Sequence, residues 1–285
     1  MKLITFEHDG AVKAGYLDGD TAVVCDDGPD AVTAVLRLVR SGGESAWQEK
    51  ARIHVSGIRL LAPIPQPLRD IICVGKNYVE HAAEFHGSGF DSTGKEAVPS
   101  HPVIFTKAMT SVIGPDAEVQ SFTDPTETVD YEGELGVVIG KTARRVSGAE
   151  AYDYVYGYTI INDVTSRELQ QRHNQWIIGK GLDTFCPMGP YVATADEIAD
   201  VDAMELVTTV NGEERQRAVV RDLVFDIPTL IETLTRTATL LPGDIIATGT
   251  PAGVGIGFKP PRYLRAGDTV AITITGLGDL SNPIV

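Results

Sequence analysis

Short apolar runs separated by turn residues set the rhythm of this chain. Lys2 to Phe6, Val12 to Leu17 and Thr21 to Val24 are bounded by Asp-Gly and Asp-Gly-Asp, which predicts a small antiparallel meander. The segment Asp30 to Arg40 predicts a helix, ended by Ser41-Gly42-Gly43. Ala62-Pro-Ile-Pro-Gln-Pro-Leu68 then predicts an extended linker, because proline fixes the backbone and removes donors. Beyond it strands dominate, at Asp70 to Val74, Val103 to Lys107, Glu132 to Ile139, Tyr154 to Asn162, Leu206 to Val210, Asp244 to Thr248 and Thr269 to Ile274. Asn211-Gly212 is a hairpin signal. Helices are expected at Val164 to His173 and at Ile227 to Thr237, the second with Pro228 in its first turn. Ser88 to Ser100, rich in Gly, Ser, Thr and Pro, reads as a mobile loop. Strand and helix do not alternate regularly, so a doubly wound sheet is not expected. The expected class is a β-rich α+β protein with a small N-terminal domain at 1–62, a proline-rich linker at 63–69 and a catalytic domain at 70–285.

Composition narrows the partners. A chain of 285 residues, 43% hydrophobic and 22% charged, can bury a sizeable core. A net charge of −15 argues against nucleic acid and against anionic lipid surfaces, both of which need a basic face. Cations placed locally can still bind an anionic substrate. Cys25, Cys73 and Cys186 fit no zinc or disulfide spacing, and no apolar run approaches a membrane span. A cytoplasmic protein is expected.

The sharpest chemical feature is Asp130-Tyr131-Glu132-Gly133-Glu134, continued by Leu135 to Ile139. Residues two apart on a strand share a face, so Glu132 and Glu134 stand side by side. The apolar continuation suggests a strand buried on both faces. Two like charges there are costly unless neutralised, and a hard divalent cation does this with oxygen ligands. Asp163, at a strand-to-helix junction, offers a third oxygen; as a lone residue it reads better as a helix cap, and the apolar setting it shares with Glu132 and Glu134 favours the ligand reading.

These residues also resemble a known family. Asp130 to Ile139 with Gly157-Tyr-Thr-Ile-Ile-Asn-Asp-Val-Thr-Ser-Arg167 is similar to the fumarylacetoacetate hydrolase family. So are Cys73-Val-Gly-Lys-Asn-Tyr78, Gly179-Lys-Gly-Leu-Asp-Thr-Phe-Cys-Pro-Met-Gly-Pro190 and Gly243-Asp-Ile-Ile-Ala-Thr-Gly-Thr-Pro-Ala-Gly-Val-Gly255, in the family's order. Lys76 departs from the Arg that many members carry and loses its planar fork. The resemblance implies a mixed β-sandwich roll, a homodimer, and Mg²⁺ or Mn²⁺ (with Ca²⁺ conceivable in vitro) on Glu132, Glu134 and Asp163.

The expected substrate is a small 2-keto acid, which can chelate such an ion. The enolate derived from it is common to C–C hydrolysis, decarboxylation and keto–enol isomerisation. His81 and Glu84, three apart on an expected short helix, form a water-activating pair, matching the dyad of the family's hydrolytic members. Their ordinary reading is a surface contact. Lys180 is expected to stabilise an oxyanion, and Thr250 to grip a carboxylate from a Gly-rich turn. Lys76, Tyr78, Gln170 and Arg172 are expected to contact substrate. The favoured function is hydrolysis of a 2,4-diketo acid of acylpyruvate or fumarylpyruvate type. The alternatives are an oxaloacetate decarboxylase, a 2-hydroxymuconate-type isomerase or tautomerase, and a non-enzymatic metal-binding scaffold.

Overall fold

A computed structural model describes residues 1–42, 47–91 and 96–285. The meander forms as the pattern predicts, as β1 (Lys2–His8), β2 (Ala11–Asp18) and β3 (Thr21–Asp26), with β4 (Ala51–His54) pairing back on β3. Helix α1 (Ala34–Ser41) follows a single 3₁₀ turn and ends at Gly42, whose φ of 72° is the left-handed cap the Gly signal predicts. Gly43 lies outside the described residues.

The main sheet is mixed and has twelve strands. After β5 (Arg59–Leu60) come β6 (Ile71–Gly75), β7 (Val103–Lys107), β8 (Val112–Ile113), β9 (Val129–Asp130), β10 (Gly133–Ile139), β11 (Val155–Asn162), β12 (Thr165–Ser166) and β13 (Cys186–Thr194). A four-stranded sheet is built from β14 (Glu205–Val210), β15 (Glu213–Val219), β17 (Thr269–Ile274) and β18 (Gly278–Pro283), while β16 (Ile245–Ala247) returns to the main sheet. The principal order of the large sheet is β4-β3-β2-β1-β13-β11-β10-β16-β6-β7. The N-terminal meander is therefore hydrogen-bonded into it, through Lys2↔Ala193 and Leu3↔Val192. The proline segment is packed rather than held in solvent: Ala62, Pro63 and Ile64 are buried, and Pro63 O accepts from Thr5 Oγ1 at 2.9 Å.

Every residue of β10 is buried, as its unbroken apolar run predicts, with β11 on one edge and β16 on the other. Val137, Val138, Leu206, Ile231, Ile246 and Ile272 are among the side chains that fill the core around it. Helix α5 (Ile227–Thr237) has the predicted limits, with Asp226 capping Thr229 N. The helix expected over Val164 to His173 is shorter, α3 (Arg167–Arg172), because Thr165 and Ser166 pair with Asp130 and Val129 as β12 on β9. Of the Ser88 to Ser100 segment, Ser92 to Lys95 lie outside the described residues. Among the described residues no helix is long and apolar enough to cross a membrane.

Candidate metal centre and active site

The β9–β12 bridge and the β10–β11 pairing bring four acidic residues from two stretches of chain to one place. Glu132 and Glu134 flank Gly133, whose opposite face meets the second sheet so closely that a Cβ would lie 2.3 Å from Thr208 Oγ1. Glycine is thus required between the two carboxylates, and both turn the other way. Asp163 follows β11, its N–H donating to Glu132 O at 2.8 Å. All three acids are buried, and their facing oxygens lie within 4.8 Å of one another.

Three buried cations surround them. Lys180, on helix α4 (Ile177–Lys180), donates to Glu132 Oε2 at 2.5 Å and to Asp163 Oδ2 at 2.7 Å. Arg167 Nη1 lies 2.6 Å from Glu132 Oε1, and its Nε donates to Asp130 Oδ2 at 2.9 Å. Lys107 Nζ is 2.7 Å from Asp163 Oδ1 and donates to the carbonyls of Val164 and Lys180. Burial alone would raise the Glu132 carboxyl, but Arg167 and Lys180 outweigh it and hold that group well below the usual carboxylate range. Glu134 goes the other way, raised by burial and by the charges of Asp163 and Glu132. Its partner is a neutral one, Gly249 N donating to Oε2 at 2.9 Å.

With Asp130 counted, the cluster holds one more carboxylate than cation. Asp163 Oδ1 has the Lys107 ammonium as its ion-pair partner at 2.7 Å. An all-oxygen donor set, buried and rich in carboxylate, fits a hard divalent cation. Glu132, Glu134 and Asp163 would hold it.

Beside this cluster opens a recess of about 270 Å³, its mouth included, which Glu132 and Glu134 line together with Lys76, His81, Arg167, Gln170, Lys180 and Thr250. Phe85, Phe105 and Trp176 form its apolar wall in edge-to-face contacts at 5.8 and 5.0 Å. Helix α2 (Val79–Gly87) presents His81, which is buried, and Glu84, which is half-buried. His81 Nδ1 and Glu84 Oε2 are 3.4 Å apart, the one-face contact that three-residue spacing predicts.

Not every residue singled out from the sequence reaches this recess. Lys76 lines it, but its ammonium donates to Asp91 Oδ2 and to Glu96 O, each at 2.9 Å, so that it joins these two residues. Thr250 lines it with its hydroxyl held by Gln216 Nε2 at 2.7 Å. Gln170 is buried and accepts from Arg167 Nη1 at 3.3 Å. Tyr78 faces a separate surface cleft with Glu80, Arg217 and Asp222. Arg172 is solvent-exposed and paired with Glu168 one turn earlier.

Two residues not singled out are as central as any that were. Arg167 stands in the quoted motif, four residues after Asp163, and its Nη2 is buried with no hydrogen-bond partner among the described residues. Lys107 ends a strand in Val-Ile-Phe-Thr-Lys, where a lysine ordinarily marks solvent, and no local signal reveals that it is buried.

Residues 70–285 match the family model described as "Fumarylacetoacetate (FAA) hydrolase C-terminal". The chain is 52% identical over 231 residues to the oxaloacetate tautomerase YisK of Bacillus subtilis, covering 81% of this chain and 74% of that protein. Among solved structures, a fumarylacetoacetate hydrolase from psychrophilic Exiguobacterium antarcticum matches with a TM-score of 0.84 at 40% identity, over 100% of this chain and 99% of that one. A maleylpyruvate hydrolase from Sphingobium, solved with manganese (II) ion and pyruvate, matches with a TM-score of 0.77 at 30% identity, over 100% and 99%.

Proposed function

Because this chain belongs to the fumarylacetoacetate hydrolase family, we propose that it is a divalent-metal-dependent tautomerase that interconverts the enol and keto forms of a small 2-keto diacid of the oxaloacetate class. The observation that carries the reading is the recess itself. It brings Glu132, Glu134, Lys180 and His81 together, with an Asp163 oxygen within 4.8 Å of the two glutamates, so that the candidate ion ligands, a buried cation and a candidate proton-transfer group stand in one place. The 52% identity to an oxaloacetate tautomerase supports the same choice.

Mg²⁺ or Mn²⁺ on Glu132, Glu134 and Asp163 would supply a Lewis acid that draws electrons from the substrate's keto and carboxylate oxygens. The protein's own groups then manage one proton. His81, turned by Glu84, removes it from the carbon next to the carbonyl or returns it there. Lys180 stabilises the charge that develops on oxygen, and Arg167 holds Glu132 in place while offering an unpaired N–H to a substrate carboxylate. Only a C–H and an O–H bond change. The aromatic wall of Phe105 and Trp176 limits water on that side.

A stopped-flow assay tests this. Enol oxaloacetate is mixed with enzyme and Mg²⁺ or Mn²⁺, and loss of the enol chromophore is followed against a metal-only control. A rate equal to that control would sink the proposal. The second reading, C–C hydrolysis of an acylpyruvate, is favoured by the His81–Glu84 contact, which also suits activation of a water. Acetylpyruvate, fumarylpyruvate and a hydroxymuconate in the same panel, with product identification, distinguish the two, and carbon dioxide release from oxaloacetate scores decarboxylation. Titration with oxalate, which mimics the enolate, addresses the scaffold reading. We extend the proposal to a homodimer in the cytoplasm, tested by light scattering and cell fractionation.

A further inference from the structure

The Gly-rich segment from Thr248 to Gly257 meets the acidic side chains of the site through its backbone. Gly249 N donates to Glu134, Gly253 N donates to both carboxylate oxygens of Glu84 at 3.1 and 3.2 Å, and Gly255 N and Ile256 N donate to Asp130 at 2.6 and 3.1 Å. Gly257 comes next and donates to none of them; its N–H bonds to Val254 O. Its backbone lies outside the left-handed region, so conformation does not require glycine there, in contrast to Gly253 at φ +101°. Space does require it. A Cβ at 257 would stand 1.8 Å from Glu84 Oε1, 2.3 Å from its Cδ and 2.7 Å from its Cγ, and these are the three nearest heavy atoms.

We infer that Gly257 is a positioning residue for the proton-transfer pair: the missing Cβ is the seat that lets the Glu84 carboxylate reach Gly253 N and His81 Nδ1 together. This rests on the reading that His81 and Glu84 act in the reaction. A methyl group at 257 collides with the movable end of a side chain rather than with backbone. The fold therefore survives Gly257→Ala, while Glu84 swings off the histidine.

The test is a double-mutant cycle with Glu84→Ala, with Glu84→Gln as the check on the underlying reading. Gly257→Ala lowers kcat about tenfold to a hundredfold with KM little changed, the mark of a misplaced acid–base group. Calorimetric Mn²⁺ affinity stays at the wild-type value, and a crystal structure shows the Glu84 carboxylate away from His81. In the Glu84→Ala background, adding Gly257→Ala alters the residual kcat by less than about twofold, because the two changes act through one interaction. Wild-type kcat in Gly257→Ala alongside a slow Glu84→Gln overturns the inference and leaves the reading standing. An equal fall in both backgrounds also overturns it, showing a general distortion of the loop. Full activity in both Glu84→Gln and Gly257→Ala removes the reading and the inference with it. Should Gly257→Ala be insoluble, recovery of folded protein in the double variant supports the clash, and insolubility of both refutes it.

Discussion

Replacing Lys107 by methionine tests the charge balance of the whole centre. The side chain is fully buried, lies 2.7 Å from Asp163 Oδ1 and donates to two main-chain carbonyls. Methionine keeps most of the volume but removes the ammonium, leaving a cluster already one cation short with a further unpaired charge. Removing one partner from a buried ion pair costs about 3–5 kcal/mol, largely the penalty of the charge left behind. For a chain of this size each kcal/mol lowers the unfolding temperature by roughly 2–4 °C, so metal-free Lys107→Met should unfold roughly 6–20 °C below the wild type. The sign reverses for the ion. A more negative cluster attracts a divalent cation more strongly, and a ligand at a hundredfold over its Kd adds about 2.7 kcal/mol to the folded state. Calorimetric unfolding in EDTA and in excess Mn²⁺ therefore shows a larger metal-induced shift in the variant than in the wild type. Equal stability of the two proteins in EDTA, or an identical Mn²⁺ shift in both, would refute the reasoning.

Three further outcomes follow from the same geometry. Glu134→Gln loses at least about tenfold in Mn²⁺ affinity by calorimetry, since a ligand matters no less than the outer groups that orient it, while the metal-free protein holds or gains stability because burial and the charges of Asp163 and Glu132 already oppose ionisation of this carboxyl. His81→Ala and Glu84→Gln each lower turnover by about 10²–10⁴-fold and leave Mn²⁺ affinity unchanged; loss of metal binding would move both residues into the metal centre. Burial pushes the Cys186 thiol up to about 12 from an ordinary value near 9. The unfolded chain therefore releases that proton first, and stability falls as pH rises from 9 to 12 by about 1.4 kcal/mol per unit. Cys186→Ala should flatten urea-denaturation stability against pH in that window, and an unaltered slope would exclude the thiol as its source.

Much of the candidate metal centre was legible because its signals are local. Glu132 and Glu134 share a face by strand periodicity, Asp163 closes the next strand, and the apolar run of β10 shows that both glutamates are buried. The limits of Val103–Lys107, Ile227–Thr237 and Thr269–Ile274 emerge unchanged for the same reason. Strand β13 gives no such signal. It opens Cys-Pro-Met-Gly-Pro, and two prolines with a glycine read as breakers, although here they lie within a strand that pairs along much of its length. Tyr78 and Arg172 illustrate a different limit. Sequence places each beside the right motif, but which way a side chain turns is decided by tertiary packing, and these two turn to a surface cleft and to solvent. Lys107 and Arg167 were hidden because a buried cation is legible only through the anion it meets, and theirs come from distant stretches of chain.

Strand β13 has β1 along one side and β11 along the other, and β11 runs directly into Asp163. A fragment starting at residue 70 would strip β1 away and leave bare the main-chain groups of Val192, now opposite Leu3, and the Thr194 N–H, which now donates to Met1 O at 2.9 Å. Exposed edges of that kind recruit further strands from other molecules. The first sixty residues thus cover a sheet edge, and the shortened chain is expected to associate through that edge before its acidic cluster comes apart.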